Sequence, residues 1–267
     1  MDLGLRGAAV VVAGGTSGMG HAAARCFAED GARIAVLARS ERDLLTTADA
    51  LTELGSPDAI GIVTDLFDTG SVNAAIGQIG DRWGHLNALV NAAGPMRGGL
   101  KTFETYTDED WHDVIDGLTL AAVRTIRAAL PLLRAAEWAR IVNVSAMSTK
   151  RQSPPLVAYT AAKSALTSIT KNLSQSLAPE GILVNTISPG TFASETLRAG
   201  LSQMPDVDET DLRDIMRFIK QGFGHAVFLD RAADPSEIGP VIVFVASARN
   251  TYMTGANINV DGGSDFT

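Results

Sequence analysis

The chain has 267 residues, 46% of them hydrophobic and 19% charged, and carries a formal net charge of −8. That length suits one large α/β domain with a substantial core, and the composition excludes disorder. The acidic balance argues against a nucleic-acid or anionic-membrane surface.

In chain order, short apolar runs alternate with longer helical ones. Residues 8–13 read as a buried strand and 21–30 as a helix. A strand over 33–37, a helix over 41–54 and a strand over 59–63, ending at Asp65, follow. A helix over 72–83 leads to a strand at 88–90 and a long helix over 108–134, with Asp108 as its N-cap. A strand at 140–144, a helix at 159–178 and a strand at 183–187 continue the rhythm. Residues 191–230 break it, although Leu212, Ile215, Met216 and Ile219 mark an amphipathic helix there. A helix over 236–247 and a strand over 257–260 close the chain. The alternation predicts a single doubly wound Rossmann-type domain: a parallel seven-stranded sheet with helices on both faces.

The start, Met1-Asp2-Leu3-Gly4, lacks the basic region and cleavage site of a signal peptide, and no apolar run is long enough to span a bilayer. The single Cys26 cannot close an internal disulfide and reads as a buried small hydrophobe in a reducing compartment. A cytoplasmic protein is expected. His21, His85, His112 and His225 show no ligand spacing, so no metal site is predicted.

Two features point to chemistry. Gly14, Gly18 and Gly20 stand between the first strand and the first helix, where glycines allow a tight turn and a helix N-terminus favours a pyrophosphate. Tyr159 and Lys163, at i and i+4, share one helix face. An ammonium beside a phenol lowers its pKa. Moving a phenol from pH ~10 to neutrality needs about 4 kcal/mol. A phenol so tuned can protonate a carbonyl oxygen while a hydride reaches the carbon.

With these motifs the chain resembles the short-chain dehydrogenase/reductase family over essentially its whole length. Gly14–Gly20 is similar to its cofactor loop, and Asp65 to the residue that accepts from the adenine amino group. Asn91-Ala92-Ala93-Gly94 is similar to the turn beneath the cofactor, and Tyr159/Lys163 to the catalytic pair. Pro189-Gly190 with Ser194 is similar to the nicotinamide clamp, and Asp261-Gly262-Gly263 to the C-terminal signature. The resemblance implies a cofactor set of Gly14, Thr16, Ser17, Gly18, Met19, Gly20, Arg39, Ser40, Asp65, Leu66, Asn91, Ala92, Gly94, Tyr159, Lys163, Pro189, Gly190, Phe192 and Ser194. It also implies a mobile substrate lid at about 191–230 and a homotetramer built on the two long helices. Those helices carry apolar residues on more than one face, among them Leu120 and Val123, then Ala161 and Ile169.

The second strand ends in Ala38-Arg39-Ser40, without the carboxylate that would accept from the ribose of NAD. Arg39 suits a 2′-phosphate, so NADP(H) is expected over NAD(H). The expected activity is an NADP(H)-dependent interconversion of a ketone and a secondary alcohol, the substrate being a small molecule such as a 3-oxoacyl thioester, a steroid or a polyketide-like ketone. Phe192, Leu197, Leu201, Met204, Met216, Phe218, Phe223 and Phe228 suggest an apolar substrate wall or the lid's own packing, with Met96 and Leu156 as additions. Arg97, Lys150 and Arg151 suit an acidic group or a carrier protein.

Two departures from the family pattern stand out. Leu118 occupies the place of a helix Asn that holds a water near the lysine. Ala146 occupies the place of the catalytic Ser, leaving Ser145 or Ser148 to polarise the carbonyl, with Ser145 the assigned residue. Both departures keep a second reading open: a nucleotide-binding protein with little turnover, acting as a sensor or assembly subunit.

Overall fold

The computed structural model describes residues 1–94, 99–204, 206–224 and 227–264. Met96, Arg97 and His225 lie outside them.

The first half alternates strand and helix: β1 (Ala9–Ala13), α1 (Gly18–Glu29), β2 (Arg33–Ala38), α2 (Glu41–Glu53), β3 (Ala59–Val63), α3 (Thr69–Trp83) and β4 (Ala88–Asn91). The second half contributes α4 (Asp108–Ile115), α5 (Ala121–Arg134), β5 (Ala139–Val144), α6 (Val157–Leu177), β6 (Ile182–Pro189), α7 (Glu195–Leu201), α8 (Leu212–Phe223), α9 (Gly239–Val245) and β7 (Asn257–Val260). The strands form one seven-stranded sheet in the order β3-β2-β1-β4-β5-β6-β7, with every pairing parallel.

β1 is apolar throughout because both of its faces are covered. Its side chains alternate between the two cores. Val10 and Val12 pack with Ala23, Phe27 and Ile242 on one face. Ala9, Val11 and Ala13 pack with Ile76, Ile79 and Ile126 on the other. Strand order reverses between β1 and its two neighbours, β2 and β4, and this switch opens a crevice at the carboxyl ends of the strands.

Two helices differ from the sequence expectation. The helix expected over 108–134 is interrupted by a π-helical turn, Asp116–Leu120, between α4 and α5. Gly117 is a weak helix former, and Thr119 Oγ1 donates to the Ala162 carbonyl of α6 at 2.8 Å, a tie that holds the wider turn. Asp108 is not the N-cap: Thr107 is, in a capping box with Asp110. The helix expected over 236–247 begins instead as a 3-10 turn, Pro235–Glu237, capped by Asp234, before α9.

The described residues between 191 and 233 form a small unit with its own core. Leu201, Ile215, Met216 and Ile219 are buried there, with Leu197, Phe218 and Phe223 packed against them. Phe192 and Ala233 pack with the main core, and an isolated bridge between them joins the two ends of the unit. Most of the expected apolar wall is therefore internal packing, while Met204 and Phe228 (70% exposed) face outward. Cys26 is only part-buried. Its thiol is pushed upward, first by burial and then by Glu29 and Asp30, which makes it a poor nucleophile. Among the described residues no helix is long and apolar enough to cross a membrane.

Candidate active site

The segments singled out by sequence converge at the carboxyl edge of the sheet. Gly14 has φ +82° and donates its N–H to Leu37 O at 2.9 Å. A Cβ there would stand 2.7 Å from Ala93 Cα, and one on Gly20 would run into the Gly14 carbonyl oxygen. Both positions therefore require glycine, because the loop folds onto the turn after β4. Ser17 is the N-cap of α1 and makes no side-chain cap bond. The first-turn amides beginning at Gly18 and Met19 can thus receive an anion at the positive end of the helix. A Cβ on Gly18 would lie 3.8 Å from Ser194 Cβ, so the start of the 191–233 unit stands beside this loop, with Thr16 next to it in the chain.

The outer end of the crevice is set by β2 and β3. Arg39 is exposed, and Ser40 caps α2 by accepting from Asp43 N–H at 3.3 Å. Asp65 holds its own loop in shape: Oδ1 accepts from Phe67 N–H, and its N–H donates to Ser71 Oγ, both at 3.0 Å. Leu66 is buried, and its carbonyl accepts from Arg124 Nη1 at 3.2 Å.

Beneath the crevice runs a buried polar chain. Thr125 Oγ1 donates to Asn91 Oδ1 at 2.6 Å, Asn91 Nδ2 donates to Asn143 Oδ1 at 2.8 Å, and Asn143 Nδ2 donates to Thr170 Oγ1 at 2.9 Å. It ties α5, β4, β5 and α6 together. Ala92 and Ala93 both donate to Ala13 O, at 3.0 and 2.8 Å, which fixes the turn leading to Gly94. On the far side, Gly190 N–H donates to Val260 O at 3.0 Å, and a Cβ on Gly190 would press to 2.8 Å from Asp261 Cα. Pro189-Gly190 and Asp261-Gly262-Gly263 are thus packed on one another. Ser194 Oγ is engaged as the N-cap of α7, accepting from Leu197 N–H at 3.3 Å.

Tyr159 and Lys163 face each other on α6, with Lys163 Nζ 5.9 Å from the Tyr159 ring centroid. Lys163 is buried and donates to Val144 O at 2.8 Å. Burial pulls its ammonium down to about 8. The expected lowering of the phenol does not occur. Burial pushes Tyr159 up to about 12, because desolvation of a phenolate among Val114, Leu118, Ala158 and Ala162 outweighs the lysine's attraction at this distance. At pH 7 the pair is therefore a protonated phenol beside a charged ammonium.

The serines are placed differently from the family pattern. Ser145 Oγ donates to Lys163 O at 3.1 Å and lies 2.8 Å from Thr167 Oγ1, so it is committed to α6. Ser148 Oγ accepts from Thr160 Oγ1 at 3.0 Å and retains its own proton for a further partner. Ala146 is buried between them.

Leu118 is 2% exposed, in an apolar cluster with Val114, Ala158 and Ala162. Its Cδ2 and Lys163 Nζ lie 3.3 and 3.5 Å from the same point, the position of a Cβ on Gly94. The place of the expected water-holding Asn is filled by an apolar side chain packed in an apolar cluster. Leu118→Asn is expected to destabilise the fold by roughly 1–3 kcal/mol without raising turnover, because the new amide lacks partners. A rate increase at unchanged melting temperature would overturn this account.

Sequence reasoning missed Thr119, Thr125, Asn143 and Thr170. The available signal was a polar residue inside an otherwise apolar run, as Asn143 is in Ile141–Val144.

Comparisons with known proteins agree with this geometry. A family model described as enoyl-(acyl carrier protein) reductase matches residues 13–265. A "Monensin polyketide synthase putative ketoacyl reductase" of Streptomyces virginiae is 35% identical over 258 residues, 95% of each chain. The 3-oxoacyl-(acyl-carrier-protein) reductase of Vibrio harveyi is 28% identical over 259 residues, covering 97% of this chain and 98% of the relative. L-sorbose reductase from Gluconobacter frateurii, solved with NADPH and L-sorbose, superposes over 100% of both chains with a TM-score of 0.91 and 29% identity.

Proposed function

The chain belongs to the short-chain dehydrogenase/reductase family, and from that premise we propose that it is an NADP(H)-dependent oxidoreductase that interconverts a ketone and a secondary alcohol. One observation carries the reading: Tyr159 and Lys163 meet at the crevice edge that also holds the Gly14–Gly20 loop. The relatives named for ketoacyl reduction support a ketone as substrate, and the NADPH-bound neighbour supports the cofactor.

When bound, the cofactor supplies a hydride. The residues of this chain hold it and manage the proton. The amides of Gly18 and Met19 and the turn at Asn91–Gly94 cradle the pyrophosphate and ribose. Asp65 and Leu66 flank the adenine, Arg39 and Ser40 meet the 2′-phosphate, and Pro189–Ser194 hold the nicotinamide end. Tyr159 donates its proton to the substrate oxygen, a role that a phenol kept protonated by burial can fill. Lys163 steadies the phenolate left behind. The carbonyl-polarising hydroxyl is assigned to the Ser145–Ser148 stretch; Ser145 needs to leave its α6 partners to serve, whereas Ser148 has a proton available. We read the whole chain as one domain and residues 191–230 as a lid over the substrate.

The test is NADPH oxidation against 3-oxoacyl thioesters, steroid ketones, polyketide-like ketones and an enoyl thioester. Oxidation with a ketone supports the reading, and oxidation with the enoyl thioester alone overturns it. The buried Leu118 and the inward Ser145 favour one competing reading, a nucleotide sensor with little turnover, marked by NADPH binding without oxidation of any substrate.

Arg39→Ala is expected to weaken NADPH binding by about 1.5–3 kcal/mol, the scale of a charge-assisted contact, and to leave NADH binding nearly unchanged. Equal loss for both cofactors in a binding titration removes the 2′-phosphate role. We also propose a homotetramer joined through the 108–134 stretch and α6, where Leu120, 40% exposed, and part-exposed Ile169 face outward. Light scattering is expected to show a tetramer at micromolar concentration, and a monomer would refute it.

A further inference from the structure

Beside the catalytic helix, but outside the crevice, lies a separate cavity of about 500 Å³. Its walls come from the Thr149–Lys150 turn, from Thr167, Ser168 and Lys171 of α6, and from Thr186 of β6. The chain as a whole is acidic, with 30 Asp and Glu against 22 Lys and Arg. Yet the charged side chains lining this cavity are two lysines, and among the described residues no carboxylate lines it. The remainder of the lining is rich in hydroxyls.

The floor of the cavity holds an anomaly. Thr186 is 1% exposed, and its Oγ1 has no hydrogen-bond partner among the described residues. Buried hydroxyls are almost always satisfied, and an orphan is the kind of group that a bound ligand completes. Further donors are at hand. Lys171 Nζ spends one proton on Gly255 O at 2.8 Å and keeps two. A cation is repelled by the lysines, and an apolar ligand leaves the donors unpaired. An oxyanion meets both the charges and the hydroxyls. A volume near 500 Å³ falls in the range for a small metabolite, ~300–1,000 Å³.

The cavity also touches the catalytic machinery. Thr167 Oγ1 donates to Lys163 O at 3.0 Å and lies 2.8 Å from Ser145 Oγ. A ligand on Thr167 is therefore one hydrogen bond from both residues.

We propose that this cavity is a second binding site, for a small phosphate- or carboxylate-bearing anion, with Thr186 at its floor and Lys171 at its rim. The proposal is independent of the oxidoreductase reading.

The test uses the full chain in its native assembly, with NADPH saturating so that the Gly14–Gly20 loop is covered. Inorganic phosphate and, separately, citrate are titrated at constant ionic strength, and the melting temperature is followed, since a ligand that binds the folded state raises it. The expected result is a saturable rise with at least one anion. Its half-saturating concentration should increase at least tenfold in Lys171→Met and in Thr186→Val. A rise with phosphate alone identifies a phosphorylated ligand, and a rise with citrate identifies a carboxylate. Without anion, Thr186→Val should be as stable as the parent or more so, because a methyl replaces an unpartnered hydroxyl. Should Thr186→Val fail to fold, the exposed Lys171→Met carries the test alone. Equal half-saturation in the parent and the variants, a rise reproduced by sodium chloride, or no saturable rise with either anion overturns the proposal.

Discussion

Tyr159→Phe is expected to lower turnover by at least ~10²-fold, the low end for loss of a general acid, while NADPH binding survives. The ring packs against Val114, Leu118, Ala158 and Ala162, and phenylalanine preserves that contact. Only the proton is lost. The melting temperature should be unchanged at neutral pH and should differ in alkali. The folded phenol stands near 12 against 10 for the ordinary group. Its contribution to stability is therefore complete below pH 10 and is lost as pH rises through 12. The phenylalanine variant lacks this loss and should be the more stable protein above pH 10. Full activity in the variant would mean that the proton comes from another group.

Lys163→Met should abolish turnover and, against intuition, stabilise the protein at pH 7. The lysine stands near 8 in the fold against 10.5 for the ordinary group, because burial penalises its charge. A depressed folded pKa gives stability that is present above pH 10.5 and lost as pH falls through 8. At pH 7 the parent bears the whole penalty, roughly 3 kcal/mol for a shift of this size. Methionine bears none, although it gives up the bond to Val144 O, worth about 1 kcal/mol. The expected net gain is a rise of several degrees in melting temperature at pH 7, shrinking as pH rises from 8 to 10.5. A melting temperature that falls at pH 7 would show that Lys163 is a structural anchor rather than a strained functional group.

The second prediction places function in tension with stability at neutral pH. The site keeps a charged ammonium in a buried setting where an apolar residue would be more stable, as expected of groups retained for chemistry.

Much of this was legible in the chain because it rests on local periods. The apolar runs of β1 and β2 alternate between two covered faces, so their burial follows from composition alone. Gly14 and Gly20 are required by backbone approach, and their spacing between a strand and a helix reports it. Tyr159 and Lys163 share a face because the helical repeat is 3.6 residues. Strand β7 was likewise found at its observed bounds, Asn257–Val260.

Tertiary structure decided the rest, through partners distant in sequence. The π-helical turn at Asp116–Leu120 is tied to α6 by Thr119 and Ala162, 43 residues apart, and no local pattern announces that bond. Ser145 turns inward because Thr167 and the Lys163 carbonyl wait on α6. The direction of the Tyr159 shift reversed for the same reason. Sequence showed the ammonium that would lower the phenol, but only packing showed the apolar side chains that desolvate it. Helical spacing sets which groups are near one another. The dielectric around them, and hence the sign of their titration, is set by everything else that folds against them.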